Sequence, residues 1–137
     1  DDQGFIITDL HMRNPDYPEV FAVGDAASIT VPKLGSLGHL EAEVLAKTIG
    51  EQLGNYKPKE PVSPLQFKLI CMGDMGGHKG FYMHTDEWWG GNTSILKMGY
   101  TPHALKMGFK SMYYTMGGKI PSWGLPMSEL IADHTVV

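Results

Sequence analysis

The stretch "VFAVGDAAS" occupies residues 20–28 and contains the strongest local signal in the chain. Four apolar residues lead into Gly24, and a single acid, Asp25, precedes three small residues. The apolar run 20–23 predicts a short strand of the kind found in parallel sheets that are covered on both faces. A carboxylate at the end of such a strand is costly to desolvate without hydrogen bonds. Asp25 therefore needs a hydrogen-bonding partner.

Two interpretations of Gly24 and Asp25 follow from the residues alone. A glycine at the carboxyl end of a strand lets a ligand approach the backbone, and open α/β sheets bind ligands at those ends. An acid at that place can accept hydrogen bonds from sugar hydroxyls. Alternatively, Asp25 caps the turn after the strand and binds no ligand. The spacing of the residues leaves both interpretations open.

Composition excludes several classes of protein. The chain has 137 residues, 42% of them hydrophobic, and a formal net charge of −4. That charge gives no overall signal for a nucleic-acid partner. A single cysteine, Cys71, excludes an internal disulfide and a cysteine-rich metal site. The six histidines show no metal-ligand pattern, so we expect no metal, and no glycine-rich motif for a dinucleotide is present.

Periodicity predicts the order strand, strand, helix, small sheet, helix, which indicates a fold class between α/β and α+β. Ser36 and Thr101 are the predicted N-caps of the two main helices. The predicted strands are 5–8, 20–23, 65–72, 81–84 and 95–98, and the predicted helices are 37–53, 101–116 and 128–133.

The stretch "GFIITDLHMRNPDYPEVFAVGDAAS", residues 4–28, resembles a motif of the FAD-dependent pyridine nucleotide–disulfide oxidoreductase superfamily. It is similar to the second flavin-contact motif of these flavoproteins, which have two dinucleotide-binding domains. In that family the Asp of the motif binds the ribitol chain of FAD, which implies this role for Asp25. The resemblance also implies close backbone contacts from Gly24 and Ala26.

The next stretch, "VPKLGSLGHLEAEVLAKTI" at residues 31–49, resembles one branch of that superfamily. The branch contains sulfide:quinone reductase and flavocytochrome c sulfide dehydrogenase, in which this loop and the helix N-terminus face the flavin ring. By resemblance, Gly35, Ser36 and Leu37 present N–H groups to the flavin and Lys33 adds a cation. A helix N-terminus stabilises the negative charge of a reduced flavin. Lys33 is alternatively an ordinary solvated loop lysine.

The stretch "LICMGDMGG", residues 69–77, resembles the start of the carboxyl-terminal domain of this branch. The resemblance implies three parts: residues 1–54 from the end of an FAD-binding domain, a linker at 55–64, and a small α+β domain at 65–137. We interpret Cys71 as a buried, inert thiol and Asp74 as a turn acid. The chain has no cysteine between Gly24 and Leu37, where this branch often has one, so the electron donor stays open.

The helix predicted at 101–116 is basic and amphipathic. Four lysines and no acid lie between Ile95 and Trp123. Such a helix suits a membrane surface, and in the resembled branch carboxyl-terminal helices face the membrane and the quinone. An ordinary core-packing helix with a lysine face is the alternative. The residues expected to face the membrane are Lys106, Phe109, Lys110 and Tyr113.

Together, the resemblance implies the carboxyl-terminal part of an FAD-dependent oxidoreductase. Electrons would pass from sulfide or a similar donor through FAD to a quinone-type acceptor, in a cytoplasmic protein that lies peripherally on the membrane. Because the chain lacks the glycine-rich ADP-binding motif, we expect it to bind FAD weakly or not at all and to be inactive alone. The alternatives are a relative of type II NADH dehydrogenases and a non-catalytic membrane-docking module.

Overall fold

Backbone contacts divide the chain into two units, Asp1–Phe67 and Lys68–Val137. The computed structural model describes residues 1–29, 32–54, 57, 61–119, 121 and 123–134. Over these residues the architecture is mixed α/β, with three α-helices and one antiparallel sheet. Its elements are α1 (Gly35–Gln52), β1 (Leu69–Gly76), β2 (Lys79–Thr85), β3 (Ser94–Gly99), α2 (Tyr100–Thr115) and α3 (Gly124–His134).

The first unit combines α1 with segments that pair only at isolated points, so both strands predicted there are wrong in extent. Ile6 pairs in parallel with Ala27 through one bridge, where we predicted a strand at 5–8. Phe21 pairs with Arg13, and this pairing is antiparallel, whereas a parallel strand was predicted at 20–23. The reason is local. The Asn14 N–H donates to the Val20 carbonyl, and the Ala22 N–H donates to the Met12 carbonyl. The apolar run therefore pairs with the segment that shortly precedes it in the chain.

Helix α1 lies close to its predicted position, but it begins differently. Leu34 is its N-cap residue and has extended backbone angles without a side-chain cap. Ser36, the predicted cap, lies inside the first turn instead. The helix ends at Gln52, and Gly54 follows with a φ of +70°, the left-handed conformation that favours glycine after a helix.

Residues shortly before β1 belong to the first unit and bond to residues near its start. The Leu65 N–H donates to the Leu10 carbonyl at 2.9 Å, and His11 Nε2 lies 3.1 Å from the Val62 carbonyl oxygen. Leu65 is also buried. The Leu65 amide therefore bonds to Leu10 and not to a neighbouring strand of the sheet. Strand β1 begins at Leu69 rather than at the predicted position 65. Of the predicted linker 55–64, residues 55, 56 and 58–60 lie outside the described residues.

The small sheet predicted in the second unit is present, but β1 ends four residues later than predicted and β2 begins two residues earlier. Strand β2 lies between β1 and β3 and pairs antiparallel with both. The hairpin turns at Gly77 and His78, whose φ angles are +59° and +61°. Two consecutive positive φ values are typical of the type I′ turn, which matches the twist of the flanking strands. Strand β3 runs from Ser94 to Gly99, one residue beyond the predicted 95–98 at each end.

Alternation along β2 gives the sheet two different faces. Gly80, Tyr82 and His84 point to the face that α2 and α3 cover, and all three are buried. Gly80 is required there, because a Cβ would lie 2.9 Å from the His103 N atom of α2. The opposite face carries Phe81 and Met83, which are half-buried.

Helix α2 also begins at a residue other than the predicted N-cap. Gly99, with a φ of +147°, connects β3 directly to α2, so Thr101 lies in the first turn and is not the N-cap. Gly117 and Gly118 adopt positive φ and follow the end of α2 as predicted. Helix α3 is longer than the predicted 128–133. No helix among the described residues is long and apolar enough to cross a membrane.

A polar network fastens α3 to the sheet. The fully buried Tyr82 donates its hydroxyl hydrogen to Asp133 Oδ1 at 2.6 Å. Burial, and then this bond and the nearby carboxylates, raise the pKa of Tyr82, so the hydroxyl keeps its proton. Lys97 Nζ donates to the carbonyls of Ala132 and Asp133, both at 2.7 Å, near the end of the helix. A cation at a helix C-terminus is favourable because it faces the negative end of the dipole.

Replacing Tyr82 with Phe should therefore destabilise the chain by about 1.5–3 kcal/mol, the usual contribution of a hydrogen bond to a charged group. Tyr114→Phe is the matched control, since that side chain is 70% exposed, and it should change stability by less than about 0.5 kcal/mol. Urea denaturation measures both. Equal stability of the two variants would show that the Tyr82–Asp133 bond does not hold α3.

Candidate functional site: the Gly24–Ala26 turn and the start of α1

Residues Gly24–Ala26 form a single 3-10 turn that ends in the buried Ala27. Gly24 has a φ of +63°, and a Cβ added there would meet no atom within 4 Å. The space that a side chain at position 24 would occupy is therefore open. Asp25 is exposed, and within the described part of the chain its carboxylate makes no hydrogen bond or ion pair. This finding does not favour the cap interpretation of Asp25.

A buried acid from α1 holds the turn in place. The carboxylate of Glu41 is fully buried and accepts a hydrogen bond from the Gly24 N–H through Oε2. An unbonded carboxylate would be very costly at this position. The bond satisfies the Gly24 amide and fixes the turn relative to the helix.

A second contact brings α1 and the turn close together. A Cβ on Gly38 would lie 3.3 Å from Gly24 Cα, which is tighter than nearly all such contacts. The missing Cβ of Gly38 thus allows the helix to approach the backbone of the turn closely. Leu37, which is fully buried, anchors the same end of the helix. The predicted residues Gly24 and Leu37 are therefore parts of one local arrangement.

The first turn of α1 presents amide groups. The first helical hydrogen bond runs from the Gly38 N–H to the Leu34 carbonyl, at 3.0 Å. The amides of Gly35 and Leu37 precede it, so they have no acceptor within the helix. The N-terminus of a helix is suited to bind an anion or a dipole that carries negative charge.

Lys33 makes contacts that the sequence does not indicate. Its ammonium donates to the Ala27 carbonyl and lies 4.8 Å from the centre of the Phe5 ring. A cation over an aromatic face is favourable, by roughly 0.5–2 kcal/mol depending on burial. Lys33 therefore links the loop before α1 to the segment beside the turn. Its predicted approach to a flavin stays a prediction.

Glu41 and Gly38 were missed in the sequence reasoning, although a signal for Glu41 exists. Leu37, Glu41, Val44 and Thr48 follow each other at spacings of four, three and four along one helix face. An acid on the buried stripe of a helix needs a specific partner. Gly38 gives no such signal, because residue spacing does not show which part of the backbone a glycine in a helix contacts.

The second unit contains the other predicted site residues. Cys71 lies in β1 opposite Met83 of β2 and is half-buried, not buried as we interpreted it. Asp74, interpreted as a turn acid, lies within β1 instead and pairs with His103 across 3.0 Å. On α2, Lys110 and Tyr113 are exposed and Phe109 is half-buried, whereas Lys106 Nζ donates to the Met72 carbonyl at 2.9 Å. The ammonium of Lys106 is thus engaged with the sheet.

Replacing Glu41 with Ala should destabilise the chain by about 1–3 kcal/mol, because the Gly24 N–H loses its buried acceptor. Glu43→Ala is the matched control: Glu43 lies on the same helix, is 35% exposed in its side chain and pairs with His39. Its replacement should cost less than about 1 kcal/mol. Glu41→Gln retains an acceptor oxygen and should recover part of the loss. Equal effects of the two alanine variants in urea denaturation would contradict the role given to Glu41.

Comparison with known proteins gives a fold but no family. No protein-family model matches the chain. Among solved structures, the chain is similar to the sulfide:quinone oxidoreductase from the hyperthermophilic bacterium Aquifex aeolicus, with a TM-score of 0.70 and 22% sequence identity. The match covers 97% of this chain but 33% of that one, so this chain spans about a third of its length. The chain therefore has the fold of part of a sulfide:quinone oxidoreductase.

Proposed function

We propose that this chain is the carboxyl-terminal part of an FAD-dependent oxidoreductase of the sulfide:quinone reductase type. The whole protein would pass electrons from sulfide or a similar donor, through the flavin, to a quinone-type acceptor. When bound, FAD supplies this two-electron chemistry, and the protein positions the cofactor and stabilises its charge. The isolated chain would be inactive.

The observation that carries the proposal is the exposed Asp25 on the Gly24–Ala26 turn, in a fold similar to part of a sulfide:quinone oxidoreductase. A carboxylate without a partner among the described residues is ready to accept hydrogen bonds from hydroxyl groups. The open side of Gly24 leaves room for a ligand to approach the backbone. Both features fit the sugar-like ribitol chain of FAD.

The helix α1 supplies the second element of the proposed FAD site. Its first-turn amides at Gly35 and Leu37 are donors at the positive end of the helix dipole. Ser36 lies between them in the same turn. These groups would stabilise the negative charge that a reduced flavin carries. The contact between Gly38 and Gly24 keeps this helix close to the turn, so the two elements can serve one ligand.

The membrane and quinone part of the proposal concerns α2. Lys110 and Tyr113 are exposed on this helix, and Tyr114 beyond them is 70% exposed. Exposed aromatic rings and a lysine on one helix suit the interface of a membrane. Lys106 contributes less to such a surface, since its ammonium is bonded to the Met72 carbonyl.

The test is the flavin content of the full-length protein with Asp25→Ala. Loss of a hydrogen bond to a charged group, about 1.5–3 kcal/mol, should lower the affinity for FAD by roughly tenfold or more. Visible flavin absorbance per polypeptide, measured during FAD titration, reports this loss. The same change should alter the stability of the present chain by less than about 0.5 kcal/mol.

Asp16→Ala is the matched control, because Asp16 is another exposed acid of the first unit. It should leave flavin binding unchanged. The proposal would be wrong if the full-length protein bound FAD equally well with and without Asp25. Unfolding of the present chain by Asp25→Ala would instead show that Asp25 is a structural cap.

A further inference from the structure

The orientation of His84 is fixed by an acid on α3. His84 Nδ1 lies 3.0 Å from Asp133 Oδ2 and 3.2 Å from Oδ1. An ionised carboxylate only accepts hydrogen bonds, so Nδ1 carries the proton and donates. Asp133 is held in turn by the Tyr82 hydroxyl. The result is an imidazole in a defined rotamer and tautomer.

The other ring nitrogen faces a second acid. His84 Nε2 lies 3.7 Å from Glu129 Oε1, which is too long for a hydrogen bond. With the proton on Nδ1, two lone-pair-bearing atoms face each other across this gap. Both atoms therefore face a gap that a cation can occupy. The distance also suits two ligands of one ion, because atoms about 2.0–2.2 Å from a zinc ion stand roughly 3–4 Å apart.

We propose that His84 Nε2 and Glu129 are direct ligands of a divalent transition-metal ion of the zinc class, with Asp133 orienting the imidazole. Ligand atoms of all three residues lie within 4.8 Å of one another. His84 is 8% exposed, and the side chains of the two acids are each 18% exposed, so the site is largely shielded but reachable. Because the two residues supply two of the four ligands that zinc usually takes, water would supply the others.

The surroundings match those of metal sites. A carboxylate that accepts a hydrogen bond from the far nitrogen of a ligating histidine is the common outer-shell arrangement, and Asp133 provides it. Glu129 and Asp133 lie four residues apart and therefore share one face of α3. Lys97 bonds to the last carbonyls of that helix and fixes its end.

A lysine currently supplies the positive charge. Lys68 Nζ lies 2.5 Å from Glu129 Oε2. A metal ion that binds both carboxylate oxygens of Glu129 must therefore displace the Lys68 ammonium from Oε2. This competition predicts that removing the lysine strengthens metal binding, whereas a loss of packing alone would weaken it. The site uses none of the residues assigned to FAD and does not depend on the proposed function.

The test is titration of the purified chain with Zn²⁺ by calorimetry and with Co²⁺ by visible absorption. The wild-type chain should bind one equivalent. His84→Gln and Glu129→Gln should each weaken binding at least tenfold, and Asp133→Asn should weaken it 10–100-fold, as outer-shell changes do. Lys68→Met should tighten it severalfold. This variant keeps both ligands, so it tests the site even if a ligand variant does not fold.

The matched control is His103→Gln, which removes a histidine of the same unit that pairs with Asp74 at the surface. It should leave the affinity unchanged. Three results would overturn the proposal: no saturable binding, binding that His103→Gln removes while His84→Gln does not, or weaker binding by Lys68→Met. In those cases Lys68, rather than a metal ion, balances the charge of Glu129.

Discussion

A hydrogen bond from the Gly24 amide to the buried carboxylate of Glu41 connects the Gly24–Ala26 turn to α1, and the candidate site depends on it. This bond fixes the turn, in which Gly24 has a left-handed backbone conformation, against α1. It also gives the buried carboxylate of Glu41 a hydrogen-bond donor. The close approach of Gly38 to Gly24 depends on the same packing. Consequently Asp25, which follows Gly24 in the turn, projects from a fixed base rather than from a loose loop. A ligand that binds there would meet a preorganised site, which reduces the ordering cost of binding.

Local patterns were enough to predict the elements whose partners are close in sequence. The pairing of β1 with β2 could be predicted because a glycine-rich stretch, residues 73–80, lies between two apolar segments. The helix α1 has a clear apolar stripe. The starts of α1 and α2 could not be predicted from capping residues. Their N-cap residues are Leu34 and Gly99, not the hydroxyl-bearing Ser36 and Thr101.

Pairing between segments, both near and far along the chain, explains what the sequence did not indicate. The run 20–23 has the composition of a parallel strand, yet Phe21 pairs with Arg13 in an antiparallel bridge, because the preceding segment returns on itself. Leu65 was placed in a strand, yet its amide bonds to the Leu10 carbonyl. The His84 cluster joins β2 to α3 across 49 residues, and no fixed spacing signals such a group. Of the candidate FAD site, the sequence indicates the turn and the helix start, but not the acid that connects them.

The most direct test of the connection between turn and helix is hydrogen exchange of the Gly24 amide, followed by NMR. Exchange at this amide should be slowed, because opening requires breaking a buried bond to Glu41. It should become fast in Glu41→Ala, while amides in the middle of α2 keep their wild-type rates. A Gly24 amide that exchanges in the wild-type chain as fast as an exposed loop amide would contradict this account of the site.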